Sequence, residues 1–298
     1  MSLSVVIPCY NDGEWLERSA GSVCPHLAQD DELIVVDDGS TDCTATKVAH
    51  LKERFPAQAV RYLFQTNQGV ASARNHGLEL AQGEYVIFLD ADDELTNGAL
   101  DSYRERILQD SPAWMISGHE WGTENQTIER VPRARGSSRH LFRSLLTKKI
   151  HIGNLSCMCI RRDIAERVGF APHLRVCEDL VFLLVLIARF PPAVVPRINA
   201  RVHRRAEGSL RSSTSLKQLI DLEMYDVLFA HPELPEPYRR YRKLALIRHY
   251  RSILRLAWKL KNASAYSSWY LKLVRADPLT ILNLKLLWRY REMRKRDQ

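Results

Sequence analysis

The feature that most constrains the fold is the regular alternation of two hydrophobic periods along the first 120 residues. Short apolar runs rich in β-branched residues occur at Leu3–Cys9, 33–37, Val60–Phe64 and 85–90. Between them lie stretches with helical periodicity, at about residues 13–25, 42–55 and 69–82. Strand–helix–strand repetition of this kind predicts an α/β fold, in which helices cover a mainly parallel sheet.

The pattern from residue 113 to 200 is less regular. We expect strands at 114–117, 157–160 and 193–202, and helices at 138–148 and Glu178–Arg189. Beyond residue 209 the composition becomes helical and basic. A chain of 298 residues is long for one small domain. We therefore predict one α/β domain at residues 1–210, followed by a helical basic extension at 211–298.

The net charge of +8 comes entirely from the helical extension. Residues 1–210 contain 24 Lys and Arg against 27 Asp and Glu, whereas residues 211–298 contain 19 against 8. Within 238–261, apolar residues occupy one helical face and basic residues the other. Such a helix suits a membrane surface rich in anionic lipid, or it can pack its apolar face on the α/β domain. Nucleic acid is not an expected partner, because no base-reading motif accompanies the charge.

The cysteines and the hydropathy indicate a protein of the cytoplasm. Six cysteines are scattered without a CxxC pair or a metal-binding spacing, as expected of free thiols in a reducing compartment. The N-terminal residues enter a strand pattern directly, so no signal peptide is expected. The longest apolar run, 180–188, has 9 residues, far short of the roughly 20 that span a bilayer. We expect a cytoplasmic location, or a peripheral one on the inner membrane face.

Polar residues follow three of the predicted strands of the first half. The strand ends are Pro8-Cys9-Tyr10-Asn11, Asp37-Asp38-Gly39-Ser40-Thr41-Asp42 and Asp90-Ala91-Asp92-Asp93. Ligands of open α/β sheets bind beyond the carboxyl ends of the strands, where these residues meet. Three carboxylates within four residues repel one another unless a cation lies among them, and Mg²⁺ and Mn²⁺ prefer carboxylate oxygens. We therefore expect a divalent-metal site at Asp90, Asp92 and Asp93.

The motif order resembles a known enzyme family. No GxGxxG follows the first strand and no GxxxxGK[ST] is present, so neither an NAD-binding fingerprint nor a P-loop explains the site. The order VVIPCYN, VVDDGSTD and NQGVASARNHGLELAQGEYVIFLDADD resembles the family 2 glycosyltransferases. The resemblance covers about residues 3–95 and extends more loosely to about 210. It implies the GT-A fold, a Rossmann-like nucleotide-sugar-binding sandwich.

The resemblance implies roles for the matching residues of the first half. Tyr10 would stack on the nucleobase, Asp38 would pair with uracil or a related base, and Arg74 would help to frame the base pocket. Asp92 would ligate the metal, with Asp93 supporting the site as a second ligand. The full set of matching donor-binding residues is Pro8, Tyr10, Asn11, Asp38, Asn67, Gly69, Arg74 and Asp90, the last reaching ribose or sugar hydroxyls.

The second half supplies the acceptor side of the resemblance. Glu178-Asp179 matches the acidic pair at a helix start, which implies that Asp179 is the catalytic base and that Glu178 orients the acceptor or the base. A helix N-terminus also favours carboxylates electrostatically, so capping and catalysis are compatible there. Residues 203–209 resemble the segment that closes over the diphosphate, with Arg204 and Ser209 matching and His203 as a further metal ligand.

One departure from the family pattern concerns the acceptor. An F-x-E pattern usually precedes the acidic pair, whereas this chain has Phe170-Ala171-Pro172. The acceptor side is therefore expected to differ from the common form.

The function implied by the resemblance is an inverting glycosyltransferase dependent on Mn²⁺ or Mg²⁺. Residues 1–112 would bind the nucleotide-diphosphate sugar, with a UDP-sugar expected, and residues 113–210 would bind the acceptor. The enzyme would move a hexosyl or N-acetylhexosaminyl group to a saccharide or lipid-linked acceptor, in the synthesis of a cell-surface polysaccharide or lipopolysaccharide. The alternatives are a metal-dependent nucleotidyltransferase and a catalytically idle nucleotide-sugar-binding or membrane adaptor protein.

Overall fold

The chain divides into two compact units, Met1–Arg205 and Ala206–Gln298. The computed structural model describes residues 1–123, 126–132, 134, 136–150, 152–203 and 222–296. The predicted boundary at residue 210 falls within 204–221, outside the described residues. Each unit has its own cluster of buried apolar side chains.

The first unit is built on one sheet, which has nine strands in the described residues. The strands are β1 (Leu3–Cys9), β2 (Glu32–Asp37), β3 (Val60–Phe64), β4 (Tyr85–Phe88), β5 (Glu94–Leu95), β6 (Trp114–Thr123), β7 (Gln126–Arg130), β8 (Met158–Arg161) and β9 (Ala193–His203). Their order is β3-β2-β1-β4-β8-β6-β9-β5, with β7 beside the later part of β6. Strands β1 to β4 are parallel, whereas β5, β7 and β8 run antiparallel to their neighbours.

Helices alternate with these strands, as the sequence predicted. In the described residues they are α1 (Gly13–Val23), α2 (Thr44–Arg54), α3 (Val70–Leu80), α4 (Ala99–Asp110), α5 (Ser138–Leu146), α6 (Arg162–Val168) and α7 (Glu178–Arg189). The α/β class is confirmed, and the predicted strands β1 and β3 and helix α7 have their predicted bounds. Strand β6 continues to Thr123, beyond the predicted 117, because β9 pairs with it in parallel along most of its length.

The register of the parallel strands brings three strand ends to one edge of the sheet. Cys9, the last residue of β1, lies opposite Asp37, the last residue of β2, and Asp37 pairs in turn with the end of β3. Strands β1 and β2 are buried along their whole length, as their near-continuous apolar sequences predict. The residues that follow the three strands, Tyr10, Asp38 and Gln65, therefore emerge at the same edge.

The second unit is helical in its described residues. Its helices are α8 (Glu223–Ala230), α9 (Glu236–Arg239), α10 (Arg242–Lys259), α11 (Ala263–Ala276) and α12 (Leu284–Arg296). Helix α10 buries Ile253, Leu254 and Ala257 in a cluster with Tyr266 and Leu273 of α11. The apolar face predicted within 238–261 thus packs inside the second unit. Among the described residues, every helix is too short or too polar to cross a bilayer.

The six cysteines all lie in described residues and all are free thiols, as their spacing predicted. Cys9, Cys24, Cys157 and Cys159 are buried, whereas Cys43 is exposed. Burial raises the pKa of Cys24 to about 11 and that of Cys9 to about 12. The buried thiols therefore act as small apolar side chains in the core.

The contact between α3 and the sheet leaves no room for a side chain at Gly77. An added Cβ would collide with the side chain of Val6 and lie 3.1 Å from Val36 Cγ2. We expect Gly77→Ala to lower the free energy of unfolding by about 1–3 kcal/mol, because over-packing strains a dense core. Urea denaturation followed by tryptophan fluorescence measures this change.

Gly21 of α1 is the matched control, because a Cβ there would meet open space. Gly21→Ala should raise the free energy of unfolding by about 0.5–1 kcal/mol, since alanine loses less backbone entropy in a helix. The same response at both glycines would contradict the proposed contact, because helix propensity alone would then explain the effect at Gly77.

Candidate active site

Asp38 lies directly after β2, where its carboxylate accepts three N–H groups. Oδ1 accepts the backbone N–H of Gln68 at 2.8 Å and the side-chain amide of Gln65 at 2.7 Å, and Oδ2 accepts the N–H of Gly69 at 2.8 Å. Gly69 is the N-cap of α3, with φ of 91°, a backbone conformation that favours glycine. The predicted donor-binding residues Asp38 and Gly69 are thus in direct contact.

The side chain of Gln65 extends this network by one residue. Its amide nitrogen faces Asp38, so its Oε1 faces His76 Nδ1, at 2.9 Å. Because an amide oxygen can only accept, His76 Nδ1 carries the proton in this arrangement. The relay from His76 through Gln65 orients the carboxylate of Asp38.

The loop after β1 supplies the other predicted nucleotide contacts. Pro8 is buried within β1, whereas the ring of Tyr10 is 51% exposed. Asn11 has φ of 53°, and its side-chain oxygen accepts the N–H of Thr41 at 2.8 Å. This bond joins the loops after β1 and β2. Asn67 is exposed and its backbone lies close to Gly39 of the loop after β2. A Cβ added to Gly39 would lie only 2.8 Å from the backbone nitrogen of Asn67.

The acidic turn, residues 90–93, follows β4. Its backbone is closed by the N–H of Asp93, which donates to the carbonyl of Asp90 at 2.9 Å. Asp90 and Asp92 are half-buried, and Asp93 is buried. The turn therefore brings the three predicted carboxylates together in two different environments.

The carboxylate of Asp93 is held entirely by protein groups. Oδ2 accepts hydrogen bonds from Ser156 Oγ at 2.6 Å and Asn154 Nδ2 at 2.9 Å, and Oδ1 accepts one from the N–H of His203 at 3.3 Å. Burial raises the pKa of Asp93 well above its ordinary value, and the charges of Asp90 and Asp92 add to the shift. Asp93 thus ties the acidic turn to the Leu155–Cys157 turn and to β9.

The donor set of the acidic turn suits a hard cation held jointly with a ligand. Asp92 is half-buried beside two other carboxylates, and carboxylate oxygens are what Mg²⁺ and Mn²⁺ prefer. In the part of the chain that the structure describes, no three His, Cys, Asp or Glu side chains form a metal cage. Mg²⁺ commonly uses one or two protein carboxylates and takes its other oxygens from substrate phosphates. The turn fits that second type of site, in which Asp92 would be the protein ligand.

Arg74 of α3 joins the acidic turn to the start of α7. Its Nη2 lies 2.8 Å from Asp90 Oδ1, and its Nη1 lies 2.8 Å from Glu178 Oε1. Burial alone would lower the pKa of Arg74, but the two carboxylates hold it above its ordinary value. The guanidinium, predicted to frame the base pocket, is therefore the centre of a buried ion-pair network.

The surroundings of Arg74 fix its position further. Its guanidinium carbon lies 5.4 Å from the ring centre of Phe170, which itself stacks on Phe182 of α7 at 4.2 Å. The neighbouring Asn75 exchanges two hydrogen bonds, of 2.8 and 2.9 Å, with the backbone of Phe170. The Phe170-Ala171-Pro172 segment, where the chain departs from the family pattern, thus anchors α3 to α7.

Glu178 and Asp179 begin α7 but have different surroundings. Glu178 is buried on Arg74, and burial together with the charge of Asp179 raises its pKa despite the opposing arginine. Asp179 is half-buried and accepts the N–H of Leu180 at 2.7 Å. Cys177, the N-cap, has φ of 64°, so the chain turns sharply into the helix. Of the two predicted carboxylates, Asp179 is the more accessible.

His203 lies at the end of β9, beside the acidic turn. Its Nε2 lies 2.6 Å from Glu94 Oε1, and its backbone N–H donates to Asp93. The two further ligands predicted for the metal, Asp93 and His203, thus have side chains bound to protein groups. Arg204 and Ser209, predicted to close over the diphosphate, lie outside the described residues.

Sequence reasoning missed Gln65, His76, Asn154 and Ser156. Gln65 follows a strand, as the other edge residues do, and that position could have indicated it. Asn154 and Ser156 carry no such signal, because they reach Asp93 from about 60 residues away in the chain. Only the packing of β4 beside β8 brings them to the acidic turn.

Comparison with known proteins gives one family match and several relatives. The model of the family described as glycosyl transferase family 2 matches residues 4–169. An uncharacterized glycosyltransferase of Nostoc sp. is 32% identical over 174 residues, which are 56% of this chain and 53% of that protein. A putative teichuronic acid biosynthesis glycosyltransferase, TuaG of Bacillus subtilis, is 32% identical over 63% of this chain and 72% of its own length. The chain spans about half the length of the first of these relatives.

Two solved structures share the fold. A crystal structure of S. aureus TarS 1–349 in complex with UDP-GlcNAc has a TM-score of 0.70 at 18% identity, covering 99% of this chain and 91% of that one. The mannosyltransferase PcManGT of Pyrobaculum calidifontis, in complex with GDP-Man and Mn²⁺, has a TM-score of 0.56 at 19% identity, covering 96% and 87%. At such identities the likeness concerns the fold, and the predicted GT-A fold is confirmed.

The Arg74 network makes a direct prediction for stability. Arg74→Met would leave the buried Glu178 carboxylate and Asp90 without their shared counter-charge. We expect the free energy of unfolding to fall by about 3–5 kcal/mol, because a buried ion without its partner is strongly destabilising. Urea denaturation measures the loss, and Arg74→Met combined with Glu178→Met should recover part of it.

An exposed ion pair in the same unit provides the control. Arg161 binds Asp163 at 2.7 Å with both side chains at least 40% exposed. Arg161→Met should cost less than about 1 kcal/mol, because water screens such pairs. If Arg74→Met were no more destabilising than Arg161→Met, Arg74 would not hold the network together.

Proposed function

The chain belongs to glycosyl transferase family 2, and we propose that it transfers a sugar from a nucleotide-diphosphate donor to a hydroxyl group of an acceptor. The donor is a UDP-sugar, and the group transferred is a hexosyl or N-acetylhexosaminyl group. The acceptor is a saccharide or a lipid-linked saccharide. The configuration at the anomeric carbon is inverted.

The ion-pair network of Arg74 carries this proposal. It links Asp90, in the acidic turn after β4, to Glu178, the residue before Asp179. A half-buried carboxylate at a helix start is thereby held in a fixed relation to the donor side of the site. Holding two reactants in a fixed geometry is what a direct displacement between them requires.

The edge of the sheet supports binding of a nucleobase. The exposed ring of Tyr10 offers a stacking surface, and Asp38 offers carboxylate oxygens held at a fixed angle. Uracil presents an N–H donor that a carboxylate can accept. The S. aureus TarS structure was solved in complex with UDP-GlcNAc, which agrees with a UDP-sugar donor here.

The chemistry is a single displacement. Asp179 accepts the proton of the acceptor hydroxyl while the oxygen forms a bond to the anomeric carbon. The bond from that carbon to the diphosphate oxygen breaks, and the nucleoside diphosphate leaves with its electron pair. Attack from the face opposite the leaving group gives inversion. When bound at Asp92, Mn²⁺ or Mg²⁺ would stabilise the charge on the leaving diphosphate.

The relatives favour a role in building the cell envelope. TuaG is described as a putative teichuronic acid biosynthesis enzyme, and a Campylobacter jejuni relative, 38% identical over 106 residues, as a glucosyltransferase acting on an undecaprenol-linked glycan. We propose that this chain likewise elongates a cell-surface polysaccharide or lipopolysaccharide. Six free thiols favour a reducing compartment, so we place the reaction in the cytoplasm, peripherally at the inner membrane face.

Turnover of a panel of UDP-, GDP- and dTDP-sugars with Mn²⁺ or Mg²⁺ tests the function. Asp179→Asn should lower kcat by about 10²–10⁴-fold, because the base is lost, while UDP binding measured by calorimetry stays unchanged. Asp92→Ala should abolish the metal-dependent part of UDP binding. Full activity of Asp179→Asn would remove this residue as the base.

Asp163→Asn is the matched control, because Asp163 occupies the same second position of its helix as Asp179 does. It should leave kcat unchanged. Release of pyrophosphate from a nucleoside triphosphate and a sugar phosphate would instead identify a nucleotidyltransferase. Tight binding of UDP-sugars without turnover of any donor would identify a binding protein.

The relay behind Asp38 predicts a second effect. Gln65→Leu should weaken UDP binding roughly tenfold, since a hydrogen bond to a charged group is lost. His76→Ala should have a smaller effect in the same direction, because it only frees the amide of Gln65. Calorimetry with UDP measures both, and His50→Ala, at an exposed position of α2, is the control. Equal affinity in Gln65→Leu and the unaltered protein would rule the relay out.

A further inference from the structure

The second unit exposes several large apolar side chains that lie close together in sequence. Five of them fall within ten residues, in the turn Pro278–Leu282 and the start of α12. We call this set the 279–288 surface: Leu279 is 73% exposed, Ile281 50%, Leu282 75%, Leu284 78% and Trp288 55%. Single exposed apolar side chains are ordinary, whereas five within a ten-residue segment suggest a site of contact.

The geometry of α12 explains why these residues remain outside. Met293, Leu286 and Leu287 pack toward the core that α10 and α11 share, so one side of α12 is used in folding. Leu284 and Trp288 are four residues apart and therefore lie on the same side of α12. The ring of Trp288 contacts Trp258 of α10, with the ring centres 5.6 Å apart, yet more than half of the residue stays exposed. Thr280 is buried, which anchors the turn while Leu279 and Ile281 on either side of it point outward.

The 279–288 surface lies in a strongly basic segment. Residues 278–296 contain six Lys and Arg against a single Glu. Three of these cations, Lys285, Arg291 and Arg294, are exposed. Lys285 lies between Leu284 and Trp288 in the sequence. The partner of this surface must therefore accept aliphatic side chains and carry negative charge.

We propose that the 279–288 surface docks on a bilayer that contains anionic lipid. Leucine, isoleucine and tryptophan side chains enter the boundary between headgroups and acyl chains, and the neighbouring cations contact the lipid phosphates. A second copy of this chain would present the same positive charge to it, so the like charges would repel. Nucleic acid would use the cations but leave the leucines in water.

This docking surface differs from the helical face that the sequence suggested. The apolar face of α10 is buried in the core of the second unit, where Ile253, Leu254 and Ala257 pack. The inference deepens the proposed function, because a lipid-linked acceptor is presented at such a bilayer. It does not require the chemistry to be as proposed.

Flotation of the full chain with vesicles tests the docking directly. The vesicles consist of phosphatidylcholine, with or without about 30% phosphatidylglycerol. We expect the protein to float with the anionic vesicles and to stay at the bottom with the neutral ones. Ile281→Ser combined with Leu282→Ser and Leu284→Ser should reduce the floated fraction at least tenfold. So should Lys285→Gln combined with Arg291→Gln and Arg294→Gln.

Matched controls come from the same unit. Leu260→Ser with Leu271→Ser removes two exposed apolar side chains outside the surface. Lys243→Gln with Lys259→Gln and Lys261→Gln removes three exposed cations outside it. Both sets should float like the unaltered chain. Circular dichroism and turnover of a soluble acceptor check that every variant is folded.

Tryptophan fluorescence gives an independent readout. Of the six tryptophans, Trp288 is the exposed one, and the other five are half-buried or buried. Anionic vesicles should shift the emission to the blue and protect it from acrylamide, and Trp288→Phe should remove the shift.

Several results would overturn the proposal. The first is that the unaltered chain stays at the bottom with both kinds of vesicle. The second is that the triple-serine variant floats as the unaltered chain does. A third is a dimer in solution that the serine substitutions dissociate while no vesicle binds, because a second copy would then cover the surface. Flotation uses no donor or acceptor, so its failure would leave the transfer assays unaffected, and failed transfer would leave flotation unaffected.

Discussion

A buried guanidinium holds the two parts of the candidate site together. Arg74 contributes one nitrogen to Asp90 and another to Glu178, and its guanidinium carbon lies over the ring of Phe170. A buried charge without its partner would cost several kcal/mol. The pairing with Arg74 therefore constrains where both the Asp90 and the Glu178 carboxylates can lie. This network therefore fixes three segments relative to one another: the acidic turn after β4, helix α3 and the start of α7. It does so although 104 residues separate Arg74 from Glu178.

The carboxylates of this site divide into supporting and accessible groups. Asp93 and Glu178 are buried, with raised pKa values, and their oxygens are taken up by Ser156, Asn154 and Arg74. Their neighbours Asp92 and Asp179 are half-buried. In each acidic pair the buried member is bound by protein groups, and its neighbour is the more accessible of the two. This difference in burial is the physical reason why we propose Asp92, rather than Asp93, as the metal ligand and Asp179, rather than Glu178, as the base.

The apolar residues of the second unit also fall into two groups, one buried in a core and one exposed. One face of α10 forms a core with α11 and α12, which explains why a helix with so many basic residues is stable. The five side chains of the 279–288 surface stay largely exposed outside that core, with Trp288 at its edge beside Trp258. A hydropathy pattern identifies amphipathic helices. It does not distinguish an apolar face that packs in a protein core from one that contacts a membrane.

The sequence by itself determined the fold class, because strand and helix periods differ and alternate through the first half of the chain. It also determined the family, and the grouping of Asp38 with the carboxylates at 90–93 at one sheet edge, since parallel strands end together. Tertiary structure alone decided which carboxylates are half-buried and which are fully buried. It also decided that Arg74 pairs with Glu178, that Gln65 and His76 support Asp38, and which apolar side chains of the second unit stay exposed. These facts depend on contacts between distant segments, and periodicity and local motifs carry no information about such contacts.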